Sequence, residues 1–103
     1  MVCLIFTTCL NEKIAKRISE ELLKKKLVAC VNIIPKIKSM YRWKGKIEKS
    51  DEILLLIKTE ENLFNSVKKE IVQIHPYEIP EVICVKVDKG YEKYLDWMKK
   101  VMK

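Results

Sequence analysis

"LVACVNIIPKIKSMYRW", residues 27–43, is the stretch on which the reading of the fold turns. "LVACVNII" (27–34) has the apolar, β-branched character of a strand. Beyond Pro35 the pattern alternates with period two. Ile37, Ser39, Tyr41 and Trp43 share one face of an extended chain, and Lys36, Lys38, Met40, Arg42 and Lys44 share the other. An extended stretch from about residue 28 to 44 far exceeds the roughly 5–6-residue strand of a small domain. It is expected to bend near Pro35 and to project beyond its own sheet. Gly45 permits a turn, and "EILLLIK" (52–58) returns as the second arm of a long hairpin. A long exposed edge invites pairing with another chain, and natural proteins usually cover such edges in closed, symmetric assemblies. Self-association is therefore expected from the ribbon alone.

The flanks complete the pattern. "VCLIF" (2–6) is the continuous apolar run of a central strand. From Asn11, a candidate cap followed by Glu12, Ala15, Ile18 and Leu22 recur at helical spacing as far as the basic run Lys24–Lys26. Thr59 is a candidate cap for a second helix with the stripe Leu63, Phe64, Val67, Ile71 and Ile74. His75 ends that helix because Pro76 disfavours helical geometry at the residue before it. "VICVKV" (82–87) reads as a fourth strand, and Tyr91, Tyr94, Leu95, Met98 and Val101 as a final helix. The order β-α-β-β-α-β plus a C-terminal helix predicts an α+β fold. It is the ferredoxin-like arrangement: an antiparallel sheet with helices on one face, as one domain over residues 1–103.

Composition limits the classes of function. The 103 residues suffice for one hydrophobic core, and 49% hydrophobic with 34% charged residues describes a globular chain with a densely charged surface. The net charge of +7 makes anionic partners plausible without specifying one. Cys3, Cys9, Cys30 and Cys84 form no C-x-x-C, which excludes a zinc ribbon and a thioredoxin-type pair. Cys3 and Cys84 lie in apolar strand runs and read as core. With no signal-peptide pattern and no span of about 18 apolar residues, a cytoplasmic protein with reduced thiols is expected.

"HPYEIPE" (75–81) holds the only His, stiffened by Pro76 and Pro80. Neutral imidazole is a common copper and zinc ligand, which makes His75 the first candidate for a metal. Lys58 ends an otherwise apolar strand, either reaching back to water or holding an anion. RNA-recognition modules of similar fold place stacking aromatics on a central strand. "EILLLIK" has none, so a nucleic-acid role is not favoured. A Cys–His enzyme built on Cys30 and His75 lacks any recognisable orienting group or oxyanion hole.

Five segments in order, "LVACVNIIP" (27–35), "YRWKGKIE" (41–48), "ILLLIKT" (53–59), "HPYEIPE" (75–81) and "YLDWM" (94–98), resemble the CutA family of divalent-cation tolerance proteins. The resemblance covers essentially the whole chain. It implies a homotrimer similar in architecture to the PII signalling proteins, with Tyr41 and Trp43 at the subunit interface. It also implies an association with copper or other divalent cations at inter-subunit clefts, without turnover, with a small-anion sensor as the alternative. Some bacterial relatives carry a second His and a Cys as proposed copper ligands; Ile74 and Thr7 stand at those positions here. Cys9, two residues beyond Thr7 on an extended strand, would point the same way and is the candidate replacement. The implied metal ligands are thus His75, Cys30 and Cys9, and the implied pocket residues are Lys58, Tyr77, Trp43 and Glu60.

Overall fold

The computed structural model describes residues 1–103. Its elements are β1 (Val2–Cys9), α1 (Glu12–Lys24), β2 (Cys30–Trp43), β3 (Lys46–Glu60), α2 (Phe64–Ile74), β4 (Ile83–Lys86) and α3 (Glu92–Val101). The four strands form one antiparallel sheet in the order β2-β3-β1-β4, the ferredoxin-like topology expected from the sequence. The β2–β3 hairpin stretches the molecule to 45 × 26 × 23 Å.

Asn11 caps α1 as anticipated, its side chain accepting from the Ile14 N–H at 2.9 Å. The helix ends in a Schellman motif. The Leu27 N–H donates to the Leu22 carbonyl and the Lys26 N–H to that of Leu23, with Lys26 in the left-handed region at φ 56°. A lysine there carries a steric penalty that glycine escapes. Lys26→Gly is expected to stabilise the fold by about 0.5–1 kcal/mol net of glycine's greater unfolded-state entropy. Differential scanning calorimetry would read this as a rise of a few degrees in the thermal midpoint.

The bend near Pro35 is a β-bulge. Ile34 pairs with Leu54 and Ile37 with Glu52, so one extra residue stands on β2, with Lys36 at φ 60°. The bulge shifts the alternation by one. Cys30, Asn32 and Ile34 before it therefore share a face with Ile37, Ser39, Tyr41 and Trp43 after it. At the tip, Lys44 and Gly45 both have positive φ, 49° and 78°, the two-residue turn that suits the twist of paired strands.

One face of the sheet is closed by α1 and α2. Cys3, Ile5 and Cys9 of β1 meet Ile53, Leu55 and Ile57 of β3, with Ile18, Leu22, Val67 and Ile71 packed over them, all buried. Each such large aliphatic side chain stabilises the fold by about 1.5–3 kcal/mol. The opposite face carries Leu4, Phe6, Leu54 and Leu56, half-buried, and Ile34, Ile83 and Val85, exposed. Only α3 reaches that side, packing Met98 against Val2 and Ala29 at one end.

Three local expectations change. β1 continues to Cys9 rather than ending at Phe6, because its ladder with β3 runs from Val2 to Cys9. β4 is shorter than anticipated. Thr59 is not a cap: it pairs with Cys3 inside β3, and its buried hydroxyl donates to the Leu27 carbonyl at 2.6 Å. A 3₁₀ turn at Glu61–Leu63 opens α2 instead.

Candidate functional site

His75 ends α2 with an N–H bond to the Ile71 carbonyl at 2.8 Å, and its extended backbone (φ −68°, ψ 130°) is the one Pro76 demands. Its ring is buried and both nitrogens are engaged. Nδ1 accepts from the Tyr77 N–H at 3.2 Å, so Nε2 carries the proton and donates to the Thr8 carbonyl at 2.7 Å. The imidazole thus ties the 75–81 loop to the end of β1 and has no free lone pair in this arrangement. Tyr77 leans on it, the ring centroids 4.4 Å apart.

The loop turns Tyr77 towards β3, where its hydroxyl donates to Glu52 Oε2 at 2.6 Å. Glu52 is only 6% exposed. None of the side-chain ion pairs of the chain, Lys25–Glu70, Lys38–Asp51 and Lys86–Glu61, includes Glu52, so this buried carboxylate forms no ion pair within the protomer. Its charge is felt by three neighbours. Burial, then the bond and proximity to Glu52, push the Tyr77 phenol above its usual range. Partial burial and then Glu52 raise the Glu81 carboxyl, and the same two causes raise the Cys9 thiol, against a smaller lowering from its bond to the Asn11 carbonyl.

Between the hairpin arm and the 77–81 loop lies an open cleft of about 660 Å³. Tyr41, Trp43 and Tyr77 form aromatic walls, Glu52 and Glu81 supply carboxylates, and Ile79 adds an apolar lip. Glu78 and Lys38 also line it, but Lys38 Nζ is held by Asp51 at 3.1 Å.

The anticipated residues therefore separate into three groups. Tyr77, Tyr41 and Trp43 line the cleft. His75 and Cys9 stand behind it, the Cys9 thiol fully buried. Cys30 and Lys58 pair across β2 and β3 opposite Leu4, four residues along β1 from Thr8, or roughly 13 Å away. There Lys58 Nζ sits 5.7 Å from the Tyr94 ring centre, and Glu60 Oε2 lies 3.3 Å from the N-terminal amine. Cys30, His75 and Cys9 are not brought together in one protomer, and no three His, Cys, Asp or Glu side chains converge to hold a metal. All four cysteines are free, and Cys3 is core, its thiol pushed up to about 12 by burial and then by Cys84. The sequence reading passed over Glu52. Its one signal was an acidic residue sharing, through the strand register, the face of Tyr41 and Trp43.

Fold and cleft together define a class: an α+β protein of ferredoxin-like topology with an acidic, aromatic-walled cleft beside an extended hairpin. Residues 3–101 match the model of the CutA1 divalent ion tolerance protein family. The chain belongs to that family. It is similar to the divalent-cation tolerance protein CutA of Thermus thermophilus, 37% identical over 95 residues that cover 92% of both chains. It is also similar to mouse protein CutA, 47% identical over 96 residues, 93% of this chain and 54% of that protein. The chain spans about half the length of the mammalian relatives it matches. Among solved structures, one described as the periplasmic divalent cation tolerance protein CutA of Archaeoglobus fulgidus superposes with a TM-score of 0.97, at 37% identity over the whole of both chains. No helix of the present chain is long and apolar enough to cross a membrane.

Proposed function

We propose that this chain acts in the cytoplasm as a homotrimer that binds a divalent cation, copper among them, at clefts between subunits and without turnover. The observation that carries the reading is Glu52: a buried carboxylate, facing a second carboxylate and forming no ion pair of its own. Leaving a buried charge uncompensated is costly, so the cleft is arranged to receive positive charge. An anion would meet Glu52, Glu78 and Glu81 there, which disfavours the small-anion reading.

Oxygen donors suit Mg²⁺, Ca²⁺ and Mn²⁺ and are accepted by Cu²⁺, which binds most tightly of the first-row divalent ions. Two carboxylates make an incomplete shell, and the uncovered apolar sheet face supports completion of the site by a neighbouring copy. Cys30, half-exposed on that face, is the thiol best placed to be offered across an interface. His75 and Cys9 support the site from behind.

The test is isothermal titration calorimetry with Cu²⁺ and Mn²⁺, with the mass measured by sedimentation. Glu52→Gln preserves the acceptor for Tyr77 and removes the charge; affinity is expected to fall at least tenfold. Because the Glu81 carboxyl takes up its proton above the ordinary 4.5, affinity should also decline as pH falls from neutral into the acid range. Folding stability moves the opposite way in that window: the folded state binds this proton more tightly than the unfolded state, so stability rises as pH falls. Stoichiometric metal binding indifferent to both Glu52→Gln and pH would remove the cleft from the account.

A further inference from the structure

We infer that the acidic cleft also takes a small organic cation, a primary ammonium group carried on an apolar or aromatic body. The inference rests on the reading of the cleft as a cation site but not on the cation being a metal. Three features of the cleft carry it.

The first is size. A cavity of about 660 Å³ lies in the range of small-molecule sites and far exceeds the space of a single ion with a few waters. The second is the division of its lining. Carboxylates are part of it: Glu52, Glu78 and Glu81 all line the cleft, and Glu52 acts on Glu81 there. The cleft's one lysine, Lys38, is held by Asp51, and Tyr41, Trp43 and Ile79, with Leu10 and Met40, supply its apolar wall. Such a surface offers a bare metal ion nothing, but it buries the body of an amphipathic ligand, and the aromatic faces attract a cation.

The third is valence. A primary ammonium presents three donors. The Glu52 oxygen not bonded to Tyr77, a Glu81 oxygen and the Tyr77 hydroxyl oxygen supply acceptors enough, whereas three metal-ligating side chains do not converge. A quaternary ammonium could use the aromatic walls but would leave the carboxylates without donors, so the primary amine is favoured.

The probe is hexylamine, titrated into the assembled protein by calorimetry and followed by tryptophan fluorescence, with hexanol and hexanoate as controls of equal length. Saturable amine binding with at least tenfold weaker binding of both controls is the expected result. Glu52→Gln and Glu81→Gln should each weaken the amine at least tenfold. Glu81 stands at the cleft mouth, so its variant remains informative if Glu52→Gln folds poorly. Trp43→Leu should weaken hexylamine more than ethylamine. Equal binding of amine and alcohol, no amine binding, or amine binding unchanged in both charge variants would overturn the inference. A parallel Mn²⁺ titration separates it from the metal reading. Metal binding without amine binding sinks the inference alone, and amine binding without metal binding sinks the metal reading alone.

Discussion

Leu56→Lys is expected to convert the proposed homotrimer into free protomers of 12.2 kDa, a threefold fall in sedimenting mass with the far-ultraviolet spectrum retained. Leu56 stands on the sheet face that no helix covers except at the Val2–Ala29 end, between Phe6 of β1 and Asn32 of β2. Leu4, Phe6, Leu54, Ile34, Ile83 and Val85 surround it on the same face. An apolar surface of this extent on one face is the mark of an interaction site. In a lone protomer the lysine amine reaches water along its own stem, and the fold tolerates it. Inside a packed interface the same amine is buried without a partner, at a cost of several kcal/mol in every copy. Closed symmetry repeats that cost at each contact, so a single substitution acts several times. Unchanged mass for Leu56→Lys would mean that this face is not the one that assembles.

His75→Ala is expected to cost about 2–4 kcal/mol, since it strips two hydrogen bonds and leaves the Thr8 carbonyl and the Tyr77 N–H without partners in a dry setting. Denaturant unfolding at fixed protein concentration should give a lower midpoint with an unchanged slope. Cation affinity should fall less than in Glu52→Gln, because the imidazole acts through the position of Tyr77. The reverse pattern, copper binding lost with stability kept, would identify His75 as a metal ligand instead.

The two residues mark how far the sequence could be read. The long hairpin was legible because strict alternation over residues 36–44 allows one face and one conformation. The capped first helix was legible for the same local reason. Thr59 was not, since its hydroxyl is equally suited to a cap or a ladder, and its partner Cys3 is distant in the chain. Glu52 was least legible. It precedes an apolar run and looks like a solvated strand end; its burial arises only when Tyr77, 25 residues later, folds back onto it. The stiff "HPYEIPE" loop stands out in the sequence for its single histidine followed by two prolines. The side chains it turns to the cleft are those of Tyr77 and Glu81, not that of the histidine, a distribution that follows from long-range packing rather than from residue type.

The extra residue at Pro35–Lys36 settles what kind of hollow this ribbon encloses. Were β2 to run straight on from Ile34, the odd-numbered aromatics would swing to the far side, and Lys36, Lys38 and Arg42 would stand over Glu52 in their place. The hollow would then be quenched by its own chain, neutral and closed to visitors. A half-step of phase in one strand thus decides whether lysines or aromatic rings share the side of Glu52.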